Sequence, residues 1–191
     1  MQVRYVNIKD IESISRLYKI AFDRSYLSVH YSIELLNKYF ELLIHHNKYC
    51  YVAEFEGRTT GFLIGGFKTH EAVNEFLDKH RKKVFFYALL SPRILLTRLS
   101  KLLCSLLKKS PVSKESLRLF IIAVHPDFMN KGLGKQLVLR FEDDIKNDGF
   151  NSYGLFVRAD NLNALEFYNK RGFICEFKSY NQYSYIKYIQ N

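Results

Sequence analysis

The stretch Leu117-Arg118-Leu119-Phe120-Ile121-Ile122-Ala123-Val124-His125-Pro126-Asp127-Phe128-Met129-Asn130-Lys131-Gly132-Leu133-Gly134-Lys135 decides how this chain is read. From Leu117 to Val124 it is almost wholly apolar, as a strand buried on both faces should be, and it is expected to be the central strand. The remainder ends in Gly-x-Gly and runs into a segment with Leu137, Val138, Phe141 and Ile145 at helical spacing. A strand that feeds such a turn at a helix start directs several backbone N–H groups towards one point, with the positive end of the helix dipole behind them. That arrangement holds anions. Gly132 and Gly134 would let a pyrophosphate approach the backbone where a Cβ would obstruct it, and Lys131 and Lys135 add positive charge. Taken alone, the same residues also fit a helix that simply begins after a glycine turn.

Downstream, Tyr153 to Val157 reads as another strand, Asn161 to Arg171 as a helix and Gly172 as its C-terminal stop. Phe173 to Phe177 and Tyr183 to Ile189 form a closing hairpin. Upstream, Gln2 to Val6 is a short strand. Asp10 is a candidate N-cap for a helix bearing Ile11, Ile14, Leu17, Tyr18 and Ala21. Ser32 caps a second helix with Ile33, Leu36, Tyr39, Phe40 and Leu43 on one face. Tyr49 to Phe55 and Thr60 to Phe67 pair across the turn Glu56-Gly57-Arg58, and Glu71 to about Tyr87 and Arg93 to about Lys109 read as helices.

Two motifs in this order, the Gly-x-Gly turn after the central strand and Asn161-x-x-Ala164-x-x-Phe167-Tyr168-x-Lys170-x-Gly172-Phe173 after the next one, resemble the GNAT superfamily of acyl-CoA-dependent N-acetyltransferases. The resemblance covers roughly Leu117 to Phe177. It implies an α/β (α+β) fold with a mixed, mainly antiparallel sheet of about seven strands flanked by helices, splayed at the central strand. It also implies transfer of the acetyl group of acetyl-CoA to a primary amine by direct attack in a ternary complex. Main-chain groups of Ile122 and Val124 would pair with the pantetheine arm like an added strand, and the amides of Met129, Asn130, Lys131, Gly132, Leu133, Gly134 and Lys135 would hold the pyrophosphate. Asn161 would hydrogen-bond the pantetheine. Tyr168 falls where the family places the hydroxyl that protonates the departing CoA thiolate, and phenol and thiol differ by only about 1.5 pKa units in water.

Two positions depart from the family pattern. Met129 stands where an Arg or Gln is usual, and its side chain cannot donate a hydrogen bond. Arg118 lies in the part of the central strand where many relatives carry a Glu that serves as general base. The base is then a water chain, a backbone carbonyl or an acid elsewhere, such as Glu54. The six histidines show no metal-ligand spacing, and His125, between a strand end and Pro126, is read as structural. Cys50, Cys104 and Cys175 are widely spaced, with no C-x-x-C, and are read as buried free thiols.

The 191 residues, 48% hydrophobic and 16% aromatic, suit one globular domain over the whole chain and exclude a disordered or collagenous one. The N-terminus lacks a secretory signal and no apolar run is long enough to span a bilayer, so a cytoplasmic location is expected. Between Lys79 and Arg118 eleven basic residues face the single acid Glu115, equal to the chain's whole formal excess of +10. This stretch lies in a helical insertion at about 70–114, between the third and fourth strands. Its basic side chains suit a phosphate-bearing acceptor such as a nucleotide-linked amino sugar. They equally suit a solvated helical face, or an amphipathic helix resting on anionic lipid. The layout is also similar to the GNAT branch associated with bacterial surface-polysaccharide synthesis.

The expected partners are therefore acetyl-CoA and a small amine acceptor, with no metal, and with monomer and homodimer both open. The rival reading is a peripheral membrane or nucleic-acid-binding protein that uses segment 79–118 on the same fold without turnover. Against nucleic acid, Phe85, Phe86 and Tyr87 are clustered rather than interleaved with the basic residues.

Overall fold

The computed structural model describes residues 2–90, 111–179 and 181–189. The expected helix from Arg93 to Lys109, and Cys104 within it, lie outside the described residues. Seven strands form one sheet: β1 (Gln2–Tyr5), β2 (Tyr49–Phe55), β3 (Arg58–Gly66), β4 (Arg118–Val124), β5 (Ser152–Arg158), β6 (Ile174–Ser179) and β7 (Gln182–Tyr188). Their order across the sheet is β1-β2-β3-β4-β5-β7-β6. Every neighbouring pair is antiparallel except β4 and β5, which run parallel. The mixed, mainly antiparallel sheet read from the sequence is therefore the observed one.

Helices α1 (Ile11–Ala21), α2 (Ile33–His46) and α3 (Thr69–Leu89) belong to one layer, and α4 (Leu133–Asn147) and α5 (Leu162–Asn169) to the other. Alternation along β3 shows why both layers are needed. Phe62 and Ile64 join the core that contains Ile14, Leu36, Phe40 and Phe76, while Leu63 joins the core of Leu137, Phe141, Tyr153 and Tyr168. A strand flanked on both faces reads as a continuous run without charged or polar side chains, which is the pattern of β3 from Gly61 to Gly66. Gly65 lets α4 close on the sheet, because a Cβ there would lie 2.8 Å from the ring of Phe141.

Local capping differs from expectation at α1. Asp10 holds the N-cap position of α1 but makes no side-chain capping bond to it; Asn7 caps a short 3-10 turn over Ile8–Asp10, its side chain accepting from the Lys9 amide at 3.1 Å. Asp10 completes the box by accepting from the Asn7 amide at 2.7 Å and pairs with Arg4, so its carboxylate turns back rather than forward. Ser32 caps α2 as expected, accepting from Leu35 N–H at 3.2 Å. α3 is kinked at His80, whose φ of −122° and ψ of 17° lie outside the helical range. Cys50 is buried, but Cys175 is exposed, against the expectation of burial, because it lies on β6 at the open edge of the sheet.

Candidate active site

The site begins where β4 and β5 part. Their parallel register is limited to Arg118 opposite Gly154, with the Gly154 N–H donating to Leu117 O at 2.9 Å. On its other side β4 pairs with β3 as far as Val124, but the register skips Phe120 between Ile121 and Leu119. That bulge exchanges the faces of the strand. Leu117 and Leu119 sit in the α4–α5 core, Ile121 and Ala123 in the α1–α2 core, and Ile122 and Val124 pack against the α4–α5 side.

The main chain changes phase with the side chains. Leu117 O points to β5, whereas His125 N–H points to β3, donating to Thr60 O at 2.8 Å. Main-chain groups alternate along a strand, so those of Ile121 and Ala123 face β3 and those of Ile122 and Val124 face the gap towards β5. An open strand edge results, with donors and acceptors on offer.

This edge runs into the glycine turn. Pro126–Phe128 forms a 3-10 turn, and the His125 side chain accepts from Asp127 N–H at 3.3 Å, a structural task. Met129 does not contribute an amide, since its N–H donates to Pro126 O at 3.1 Å, and Gln136 N–H is bonded to Gly132 O at 3.0 Å. Between them the amides of Asn130, Lys131, Gly132, Leu133, Gly134 and Lys135 have no hydrogen-bond acceptor among the described residues. Asn130 (φ 61°) and Gly132 (φ 81°) are both left-handed, which folds these amides into a concave turn at the start of α4. Gly134 has a second reason to be glycine: a Cβ would lie 3.2 Å from the ring of Phe167 on α5. Lys131 lies 4.9 Å from the Phe128 ring centroid, so its charge stays beside the turn.

Tyr168, on α5, is only 6% exposed, with its ring edge-on to Phe167 and Phe173 at 5.3 and 5.1 Å. Burial holds its phenol above the ordinary tyrosine range; Tyr26 adds to the shift and Arg171 opposes it. A phenol so placed stays protonated and can donate. Asn161 is the N-cap of α5, its side-chain oxygen accepting from Ala164 N–H at 3.1 Å, which leaves its NH2 group as donor. Glu54 does not reach the gap: it lies on β2, with β3 intervening, and is ion-paired with Arg4.

One element of the site gave no sequence signal. Arg158, at the end of β5, bonds Ser25 Oγ in the α1–α2 loop and Asp160, and lies 4.8 Å from the Tyr26 ring centroid. It ties that loop to the end of β5. Ser25 is 133 residues away from it in the chain, so no local pattern could reveal this tie. A cavity of about 660 Å³ is lined by residues such as Ile11, Lys38, His45 and His80, and by none of the site residues above. Among the described residues no group of three or more His, Cys, Asp or Glu could hold a metal ion.

Residues 11–173 match the acetyltransferase (GNAT) family, and the chain belongs to it. It is similar to the [ribosomal protein bS18]-alanine N-acetyltransferase of Salmonella typhimurium, 42% identical over 55 residues, 29% of this chain and 37% of that protein. The counterpart from Escherichia coli K12 is 40% identical over the same length and the same shares. The match thus spans little more than a third of these relatives. Among solved structures, the PaiA N-acetyltransferase from Thermoplasma acidophilum in complex with coenzyme A is 17% identical, with a TM-score of 0.61 over 98% of both chains. The ribosomal-protein-S18-alanine N-acetyltransferase from Escherichia coli is 16% identical, with a TM-score of 0.56 over 97% of this chain and 90% of that one. At these identities the likeness is one of fold.

Proposed function

We propose that this protein is an N-acetyltransferase that moves the acetyl group of acetyl-CoA to a primary amine. The observation that carries the reading is the open edge of Ile122 and Val124 leading into six unpaired amides, Asn130 to Lys135, at the start of α4. A long ligand with amide groups in its middle and a diphosphate at its end matches that sequence of donors and acceptors. The arm would pair with Ile122 and Val124, the diphosphate would lie on the turn, and the Asn161 NH2 group would donate to the arm.

In this reading the amine attacks the thioester carbonyl directly, within a ternary complex in which both reactants are held in place. The acetyl carbon gains the C–N bond and loses the C–S bond, and the sulfur leaves as thiolate to take a proton from Tyr168. The attacking nitrogen gives its proton to solvent, since Glu54 is engaged by Arg4.

The acceptor of the curated relatives is the alanine of a ribosomal protein, so a polypeptide amine stands beside the small amines, nucleotide-linked amino sugars included, as acceptor class. The test is CoA-thiol release from acetyl-CoA against amino-sugar nucleotides, polyamines, amino acids and peptides, with acetyl-CoA binding followed by calorimetry. Binding together with turnover of one class is expected. Liposome flotation or salt-sensitive nucleic-acid binding, with no thiol release for any amine, would instead establish the non-catalytic reading.

A further inference from the structure

The two faces of β4 and β5 carry different chemistry. Tyr153, Leu155 and Val157 are in the α4–α5 core, so Gly154, Phe156 and Arg158 face the other way, as do Arg118 and Phe120 of β4 before the bulge. Phe120 and Phe156 remain 38% and 42% exposed there, beside the gap. The guanidinium of Arg118 lies over Phe156, 4.5 Å from the ring centroid, and its Nη1 rests on Gly154, where a Cβ would come within 2.6 Å.

Among the described residues this guanidinium has no hydrogen-bond or ion-pair partner. Nη1 is shut off from solvent without a hydrogen bond, and Arg118 makes no ion pair among the described residues. The two carboxylates whose field reaches it are committed elsewhere. Glu115 accepts from Ser152 Oγ at 2.9 Å, and Glu176 accepts from Ser113 Oγ at 2.5 Å, from Ser184 Oγ at 2.8 Å and from the Lys114 amide at 3.3 Å. Burial pulls Arg118 below the usual arginine range, with Glu176 and Glu115 opposing it. A half-buried charge without a partner is costly, and proteins retain such groups where a ligand completes them.

We propose that Arg118 anchors a carboxylate of the acceptor, so that the substrate is an amine that also carries a carboxyl group. This rests on the transferase reading of the gap. A carboxylate fits better than a phosphate because the fields of Glu115 and Glu176 offset part of the guanidinium charge, leaving the place suited to a single negative charge. Phe120 and Phe156 offer an apolar surface to the stem between amine and carboxyl. Arg118 thus selects the acceptor and takes no part in the bond changes.

The kinetic test compares amino acids and short peptides with their C-terminal amides, in wild type and in Arg118→Gln and Arg118→Lys. Wild type is expected to show a KM at least tenfold lower for the acids. Arg118→Gln should remove that preference while leaving the KM for acetyl-CoA and kcat within about threefold, and Arg118→Lys should restore part of it. Equal use of acids and amides by wild type overturns the proposal, as does an equal loss for both in Arg118→Gln.

A readout independent of turnover is the Nε–Hε resonance of Arg118 in wild-type protein titrated with acetate and, separately, with inorganic phosphate. A saturable shift with acetate is expected; no shift, or a tighter response to phosphate, overturns the carboxylate assignment. Calorimetry with acetyl-CoA separates the two levels. An acetate shift at Arg118 without acetyl-CoA binding sinks the transferase reading alone, and acetyl-CoA binding without the shift sinks only the anchor.

Discussion

Leu119 and Ile121 are two residues apart on β4 yet face opposite sides of the sheet, Leu119 with Phe141 and Ile121 with Phe40. The bulge at Phe120 is the cause, and it also turns the main-chain groups of Ile122 and Val124 towards the gap. Hydrogen exchange reads this directly. The amides of Ile121 and Ala123, facing β3, are expected to be protected with or without ligand. Those of Ile122 and Val124 should exchange at least tenfold faster in the free protein and slow on addition of acetyl-CoA. Equal protection of all four in the free protein would show the gap closed.

Removing only the phenolic oxygen of Tyr168 tests its proposed role as acid. The ring packs between Phe167 and Phe173, a setting that Phe fills equally well, so Tyr168→Phe is expected to fold with an unchanged unfolding midpoint. General-acid catalysis contributes about 10²–10⁴-fold, and a fall in kcat of that order is expected with acetyl-CoA affinity preserved. A matching loss in both would assign the residue to packing and binding.

Gly132 has a φ of 81° and nothing within 4 Å of the position a Cβ would take, so Gly132→Ala meets conformational strain and no clash. The cost of a left-handed alanine is about 1–2 kcal/mol. Denaturant unfolding should show a loss of that size, and calorimetry a several-fold weaker acetyl-CoA affinity as the amide turn relaxes. Unchanged affinity would remove the turn from the ligand site.

Acid should weaken the β1 corner in a defined window. The Asp10 carboxyl is held below the ordinary aspartate value of 3.8 by its hydrogen bonds to Arg4, against a smaller opposing effect of burial, with the Asn7 amide assisting. A group depressed in the folded state stabilises fully above its unfolded pKa, and that stability disappears as pH falls through the folded value. The unfolding free energy should therefore hold down to about pH 5 and decline below about pH 4. Arg4→Gln should be less stable than wild type at pH 7, with the difference shrinking towards pH 2. A pH-independent difference would rule out the Asp10 pairing as its source.

The thiols should differ in reactivity. Burial pushes Cys50 up to about 12, with the Gly65 backbone opposing, while Cys175 is exposed. Iodoacetamide at pH 8, followed by peptide mass spectrometry, is expected to label Cys175 in the native protein and Cys50 only after unfolding. Comparable labelling of both would show the β2–α2 packing to be open.

The bulge and the cap at α1 mark the limits of reading locally. A bulge adds one residue to one strand, and the run Leu117 to Val124 is apolar at every position but Arg118, so no alternation was present to reveal a change of phase at Phe120. At α1 the sequence pointed to Asp10 as the capping residue, and the structure adds Asn7 as the cap of the preceding 3-10 turn. Arg4, brought alongside by β1, decided that Asp10 would turn back. The same logic removed Glu54 from the candidate bases, since its pairing with Arg4 depends on the register of β1 against β2.

Among the described residues, spacing and residue type alone determined the strand and helix order, the two-sided burial of β4 and the glycine turn at Gly132. Each depends on contacts between near neighbours in the chain: apolar period, backbone freedom at glycine, and the orphan amides of a helix start. Only the tertiary structure decided that Met129's amide is spent within its own turn, that Arg158 holds the α1–α2 loop over β5, and that Arg118 lies on Gly154 and Phe156 with no ion pair among the described residues. Pairing of a charge is settled by which strands lie side by side, and the chain brings Arg118 and Gly154 together across 36 residues of sequence through the parallel contact of β4 with β5.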